Sequence, residues 1–201
     1  MITLQRRLKG LTLIEMLVSI GIMSLVMAGM TALFIFVWKS QGYQIKLGQA
    51  SMFASRGVNK VVKNIRQAQQ ADDGSYLLQS GGDFDIVFFA NIDDDTSIER
   101  VHYYLSGNTF YMGVTDPPLT APYTYPIGDS SITVISSNVV NTASDFIFQY
   151  YDRNADLLSV PVSPSAVRAV EVRLLVDVDP FNSPIPVTVK SRTTLRNLVN
   201  F

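Results

Sequence analysis

A run of 28 residues, Leu11–Trp38 (LTLIEMLVSIGIMSLVMAGMTALFIFVW), contains a single charge, Glu15. Roughly 20 apolar residues at 1.5 Å rise cross a bilayer core, so this run is long enough to span one as a helix. A basic leader, Met1–Gly10 (MITLQRRLKG), precedes it and carries Arg6, Arg7 and Lys9. These three cations outweigh Lys39 and Lys46 beyond the span. The N-terminus is therefore expected in the cytoplasm, with a single-pass anchor in the inner (cytoplasmic) membrane and the C-terminal part outside. A cleaved secretory signal fits poorly. Its apolar region would be about 7–15 residues long and end in small residues, whereas this run ends in bulky Phe34–Trp38. The small residue at a polar-to-apolar junction is Gly10, ahead of the run, and a cut there would leave the helix on the mature chain.

Glu15 needs an explanation of its own, because a carboxylate in an apolar span costs about 3 kcal/mol on insertion scales. Either it lies within a turn or two of the interface and snorkels, or it waits for a positive partner. Glu snorkels poorly compared with Lys or Arg, and the span contains no cation. A cut after Gly10 would create one, the α-amine of Leu11, within reach of Glu15 on a neighbouring copy. Ser24, Ala28 and Ala32 recur at i, i+4 and i+8, a smooth ridge along which another helix could approach closely; ordinary membrane-helix composition gives the same spacing.

Lys9-Gly10-Leu11-Thr12-Leu13-Ile14-Glu15-Met16-Leu17-Val18 resembles the prepilin-type cleavage and methylation motif of type IV pilins and type II secretion pseudopilins. The resemblance implies that a prepilin peptidase cuts between Gly10 and Leu11 and methylates the amine of Leu11, and that Glu15 pairs with a subunit amine during assembly. Leu11 stands where that family most often has Phe. The implied partners are the peptidase, other pilin or pseudopilin subunits, and the inner-membrane assembly platform. Many major pilins carry a proline in this span; this chain has none, which favours a minor subunit.

Charge divides the remainder. Residues 1–71 hold nine Lys/Arg against one Glu, and residues 72–201 hold seven against sixteen Asp/Glu. Within residues 39–71, Val58, Val61, Val62 and Ile65 fall at i, i+3, i+4 and i+7 while Lys60, Lys63 and Arg66 lie elsewhere. This predicts an amphipathic stalk helix continuing from the span, with its apolar face under a sheet. Gly42, Gly48 and Gly57 are candidate bends, and Asp72-Asp73-Gly74 a candidate stop. The basic residues are not interleaved with aromatics and the following part is acidic, so no nucleic-acid contact is expected.

From Tyr76 onward, short apolar runs separated by turn residues predict strands at 84–90, 100–105, 109–114, 132–135, 145–151, 169–178 and 187–195. Ser106-Gly107-Asn108 is a hairpin turn. Val170, Val172, Leu174 and Val176 alternate with Glu171, Arg173, Leu175 and Asp177, giving one buried face. The expected fold is α+β, with a long N-terminal helix packed under an antiparallel sheet. Its parts are a leader (1–10), a transmembrane assembly helix (11–38), a stalk helix (39–71) and an extracytoplasmic head (72–201). Phe148-Gln149-Tyr150-Tyr151-Asp152, the strand Val170–Val178 and the terminal Thr193-Thr194-Leu195-Arg196-Asn197-Leu198 resemble the larger, J-type minor pseudopilins.

Little chemistry accompanies this scaffold. With no cysteine and one histidine, thiolate catalysis, zinc–thiolate sites and His clusters are excluded. A Ser–His–Asp triad would have to use His102, which strand alternation places opposite Val101 and Tyr103, and no Gly-x-Ser-x-Gly elbow or phosphate loop is present. Asn91, Asp93, Asp95, Ser97 and Glu99 alternate as in a calcium loop, but Thr96 and His102 stand where an EF-hand needs Gly and Glu. A turn between strands accounts for the same residues, so no metal and no cofactor is assigned, and Asp93 and Asp95 are the weak candidates. Asp152, Asn154 and Asp156 read as an acidic turn. No enzymatic activity is expected. The expected function is a minor pilin or pseudopilin that helps initiate or cap a filament; the alternative is an uncleaved, signal-anchored binding module or adhesin.

Overall fold

A computed structural model describes residues 12–93, 95–177 and 186–195. Gly10, Leu11, Val178 and Arg196–Leu198 lie outside the described residues. One helix, α1, runs from Leu13 to Arg66 and passes through Gly42, Gly48 and Gly57 without interruption. It ends five residues before the expected Ala71. The chain turns at Gln67 so that Ala68 can bridge Ala90 and the Gln69 N–H can donate to Phe89 O, 2.9 Å away. Sheet pairing thus outcompetes one more helical turn.

Two compact units divide the chain, residues 1–45 and 46–201. In the first, every described side chain from Thr12 to Gln41 is exposed. Its most apolar 18-residue window has a mean hydropathy of 2.3 with none of it buried, which is long and apolar enough to cross a membrane.

In the second unit the apolar face of α1, formed by Ala50, Ala54, Val58, Val61, Val62 and Ile65, is buried as the periodicity predicts. Eight strands follow among the described residues: β1 (Leu78–Gly81), β2 (Asp85–Ala90), β3 (Glu99–Ser106), β4 (Thr109–Thr115), β5 (Ser131–Ser136), β6 (Phe148–Tyr151), β7 (Ala169–Val176) and β8 (Val187–Thr194). The expected single sheet is two: a five-stranded antiparallel sheet in the order β1-β2-β3-β4-β5, and a three-stranded one in the order β6-β7-β8. Both contribute to one core, in which Phe88, Tyr103, Phe110, Phe148, Tyr150, Val172 and Leu174 join the helix face.

Local chemistry explains the connections. Between β3 and β4 the loop is Gly107-Asn108, with φ +57° at Gly107 and an ordinary φ at Asn108, the pattern of a II′ hairpin. The segment after β5 ties the sheets together: Val139 N–H donates to Asn108 O and Val140 N–H to Leu175 O, both at 2.9 Å. Tyr150 on β6 donates its hydroxyl to Gly82 O at 2.9 Å, anchoring the smaller sheet to the β1–β2 turn. Gly81 is required there, since a Cβ would sit 2.7 Å from the Tyr150 ring. On β7 the burial alternates as read from Val170, Val172, Leu174 and Val176.

Candidate functional site

Thr12 and Glu15 open α1. The Thr12 N–H donates to Glu15 Oε2 at 2.8 Å, the Thr12 hydroxyl donates to the same oxygen at 2.9 Å, and the Glu15 N–H reaches Thr12 Oγ1 at 3.4 Å. This reciprocal arrangement is a capping box, which satisfies helix-terminal donors that have no partner within the helix. The sequence signal, Thr-x-x-Glu, was present at 12–15. The role of Thr12 is one that reading Glu15 as a lone charge misses. A carboxylate in the first turn also complements the positive end of the helix dipole.

Further along, hydroxyls turn back onto the helix backbone. Ser19 Oγ donates to Glu15 O at 2.7 Å, Ser24 Oγ to Gly21 O at 2.9 Å, and Thr31 Oγ1 to Met27 O at 2.8 Å. Their polar hydrogens are satisfied without water, as a lipid or helix–helix environment requires. Ser24, Ala28 and Ala32 are all exposed on this helix. Ile20, Met23, Ser24 and Met27 line a shallow notch of 380 Å³, almost wholly apolar. A surface of this kind can admit a close-packed neighbouring helix.

In the head, Asp93, Asp95 and Glu99 bring carboxylate oxygens within 4.8 Å of one another. Their hydrogen bonds are those of a folded loop. Asp95 accepts from Ser97 N–H at 2.6 Å, Asp93 accepts from Asp95 N–H at 3.3 Å, and Glu99 accepts from Ile92 N–H at 2.8 Å. Glu99 is buried, and this burial raises its pKa, with Asp93 and Asp95 adding repulsion. Asp152 likewise caps its turn by accepting from Asn154 and Asp156 N–H, with Ala155 at φ +67°.

His102 lies on the face opposite Val101 and Tyr103, as alternation predicts. It is not isolated, however, because its Nδ1 is 3.0 Å from Asp129 Oδ2. Arg100 Nη1 approaches the other Asp129 oxygen at 3.5 Å and donates to Gly128 O at 3.0 Å. Asp129 belongs to the long β4–β5 connection, 27 residues away, so sequence spacing gives no hint of the pair. The cluster fastens that connection to the sheet. Gly113 on β4 makes room for it, since a Cβ there would lie 2.1 Å from the Asp129 carboxyl carbon. Asn64 on α1 donates to the Tyr103 hydroxyl at 2.9 Å within the core, and burial pushes the Tyr103 phenol well above its usual range.

Residues 5–31 match the family model described as the prokaryotic N-terminal methylation motif. No curated protein gives a match. The motif supports a type IV pilin-like family and implies processing by a prepilin peptidase and assembly with other pilins. The single apolar helix at the N-terminus agrees with a membrane-anchored protein.

Proposed function

We propose that this pilin-like precursor is a minor pilin or pseudopilin, most like the J type, that helps initiate or cap a type IV pilus-like or type II secretion filament. Prepilin peptidase cleaves it between Gly10 and Leu11 and methylates Leu11. Residues 11–38 form the assembly helix, residues 39–71 the stalk and residues 72–201 the extracytoplasmic head; the chain starts in the inner membrane with its N-terminus in the cytoplasm. The observation that carries this reading is the methylation motif at the start of a helix whose stretch Leu13–Trp38 has Glu15 as its one charge and is left uncovered by the described residues. Such a face lowers its free energy only in lipid or against other helices. Ser24, Ala28 and Ala32 offer the smooth side for the second of these.

Glu15→Ala tests the assembly role. The variant should insert in the membrane and enter filaments poorly; normal incorporation would remove the role given to Glu15. Glu15→Gln separates charge from capping, because Gln also closes a capping box. Poor assembly of that variant would assign the defect to the missing negative charge.

One observation favours the alternative of an uncleaved, anchored binding module. Glu15 already has partners within its own chain through Thr12, so it can be accommodated without a neighbour's amine. The two readings differ at the N-terminus, which is cut in one and intact in the other.

A further inference from the structure

A cleft of 260 Å³ opens on the head between the β1–β2 turn, the start of β6 and the segment that follows the acidic turn at Asp152. Phe146, Leu157 and Val160 give it apolar walls, and Asp83, Gln149 and Ser159 bring polar groups to it. Backbone bonds hold the walls in place. Asp83 O accepts from the Ile147 and Phe148 N–H groups at 3.0 Å each, and the Leu158 N–H donates to Tyr150 O at 2.9 Å. The Phe146 ring meets Phe84 edge-on, with centroids 6.1 Å apart.

None of these bonds uses the Asp83 carboxylate. It is half-buried, and among the described residues it accepts no hydrogen bond and joins no ion pair. The Gln149 amide and the Ser159 hydroxyl are likewise without side-chain partners among the described residues. A carboxylate set against apolar walls gives up part of its hydration, and here no cation offsets the loss. The neighbouring Tyr150 phenol registers the field that results: burial first, then Asp85 and Asp83, raise its pKa.

We infer that this cleft is a binding site for a lysine side chain presented by a partner peptide. Charge and size choose the occupant. An uncompensated carboxylate calls for a cation and the walls call for an apolar stem, and lysine combines the two in one side chain. Its ammonium donates and cannot accept, and Asp83, Gln149 and Ser159 all offer oxygen acceptors. At 260 Å³ the cleft lies below the roughly 300–1,000 Å³ of sites for drug-sized ligands, so a single side chain fills it. The inference stands on the head alone and depends on neither processing nor assembly.

The full chain with isotope-labelled leucine methyl groups, held in nonionic detergent, provides the test. It is titrated with acetyl-Ala-Lys-Ala-amide while the Leu157 and Leu158 methyl signals are followed by NMR. Both signals should move, with a Kd roughly tenfold lower than for the same peptide carrying norleucine in place of lysine. Asp83→Asn, whose side chain bonds nothing in the fold, should remove that preference. Leu157→Ser, read at Leu158, should weaken both peptides alike, because either stem rests on the same apolar wall. The inference is overturned if the two peptides bind equally, if Asp83→Asn keeps the preference, or if only leucines outside the cleft respond. n-Butylammonium chloride separates the sources of the ammonium. Weaker binding than the lysine peptide is expected, and binding as tight would overturn the side-chain assignment in favour of a free amine.

Discussion

The two ends of one helix obey different rules. From Leu13 to Trp38 the large apolar side chains lie in the open; Leu13 is 83% and Trp38 69% exposed. From Ala50 to Ile65 the apolar positions are sealed, with Val61 at 0% and Ile65 at 1%. Backbone hydrogen bonding is continuous through both. The difference lies in what surrounds the side chains. The later stretch has a striped sequence because its own chain covers only one face of it. The earlier stretch is apolar all round, and the described residues of its own chain cover no side of it. The helix thus packs into the head at one end and is long and apolar enough to cross a membrane at the other.

Matched substitutions break that comparison most visibly. Ile65→Ala should lower the unfolding free energy of the head by about 2–5 kcal/mol through lost burial and the cavity left behind, whereas Ile35→Ala on the same helix should leave it unchanged. Denaturant unfolding of the full chain in detergent, followed by near-UV circular dichroism, reads both. Equal effects would show that the exposed stretch is part of the head's folding unit.

Glycines sharpen the contrast. Gly113→Ala must displace Asp129 and so break its pairing with His102 and Arg100, at a cost of about 2–3 kcal/mol. Gly21→Ala meets nothing within 4 Å and should be neutral to the head in the same unfolding assay. Asn64→Ala comes next, at about 1–3 kcal/mol, because the buried Tyr103 hydroxyl loses its donor.

The smallest effect is a pH dependence. Burial raises the Glu99 carboxyl above its ordinary 4.5, so the folded head retains a proton that the unfolded chain releases. This contribution is fully present below 4.5 and is lost as pH rises through the folded value. Glu99→Gln should flatten that fall across the mildly acidic range. A variant with the wild-type pH slope would assign the slope to another group.

How much of this the sequence discloses depends on whether the determining contacts are local. The helix, its apolar stripe at Val58–Ile65 and the β7 alternation follow from periodicity, since burial on one face repeats at the period of the element. The hairpin at Gly107 follows from one residue's freedom at positive φ. Strand β1 escapes this reading because Leu78-Gln79-Ser80-Gly81 has no alternating pattern, and its pairing with β2 shifts register between Leu78 and Ser80. The division into two sheets is equally illegible, since the bonds that join them, Val139 N–H to Asn108 O and the Tyr150 hydroxyl to Gly82 O, link residues far apart in the chain. Within the candidate site, Glu15 stands out as a lone charge in an apolar run, and its partner Thr12 is legible as a local capping pattern. The Asp129–His102 pair is not legible, because a 27-residue separation carries no chemical signature until the sheet forms.

The central claim, that the exposed helix is the assembly end of a processed pilin-like subunit, is tested most directly by intact mass and N-terminal sequencing of the membrane-extracted protein, made in cells with a prepilin peptidase. The account predicts a chain that begins at methylated Leu11, lighter by the leader Met1–Gly10 and heavier by one methyl group. A chain that still begins at Met1 would contradict it and leave the anchored binding module as the better description.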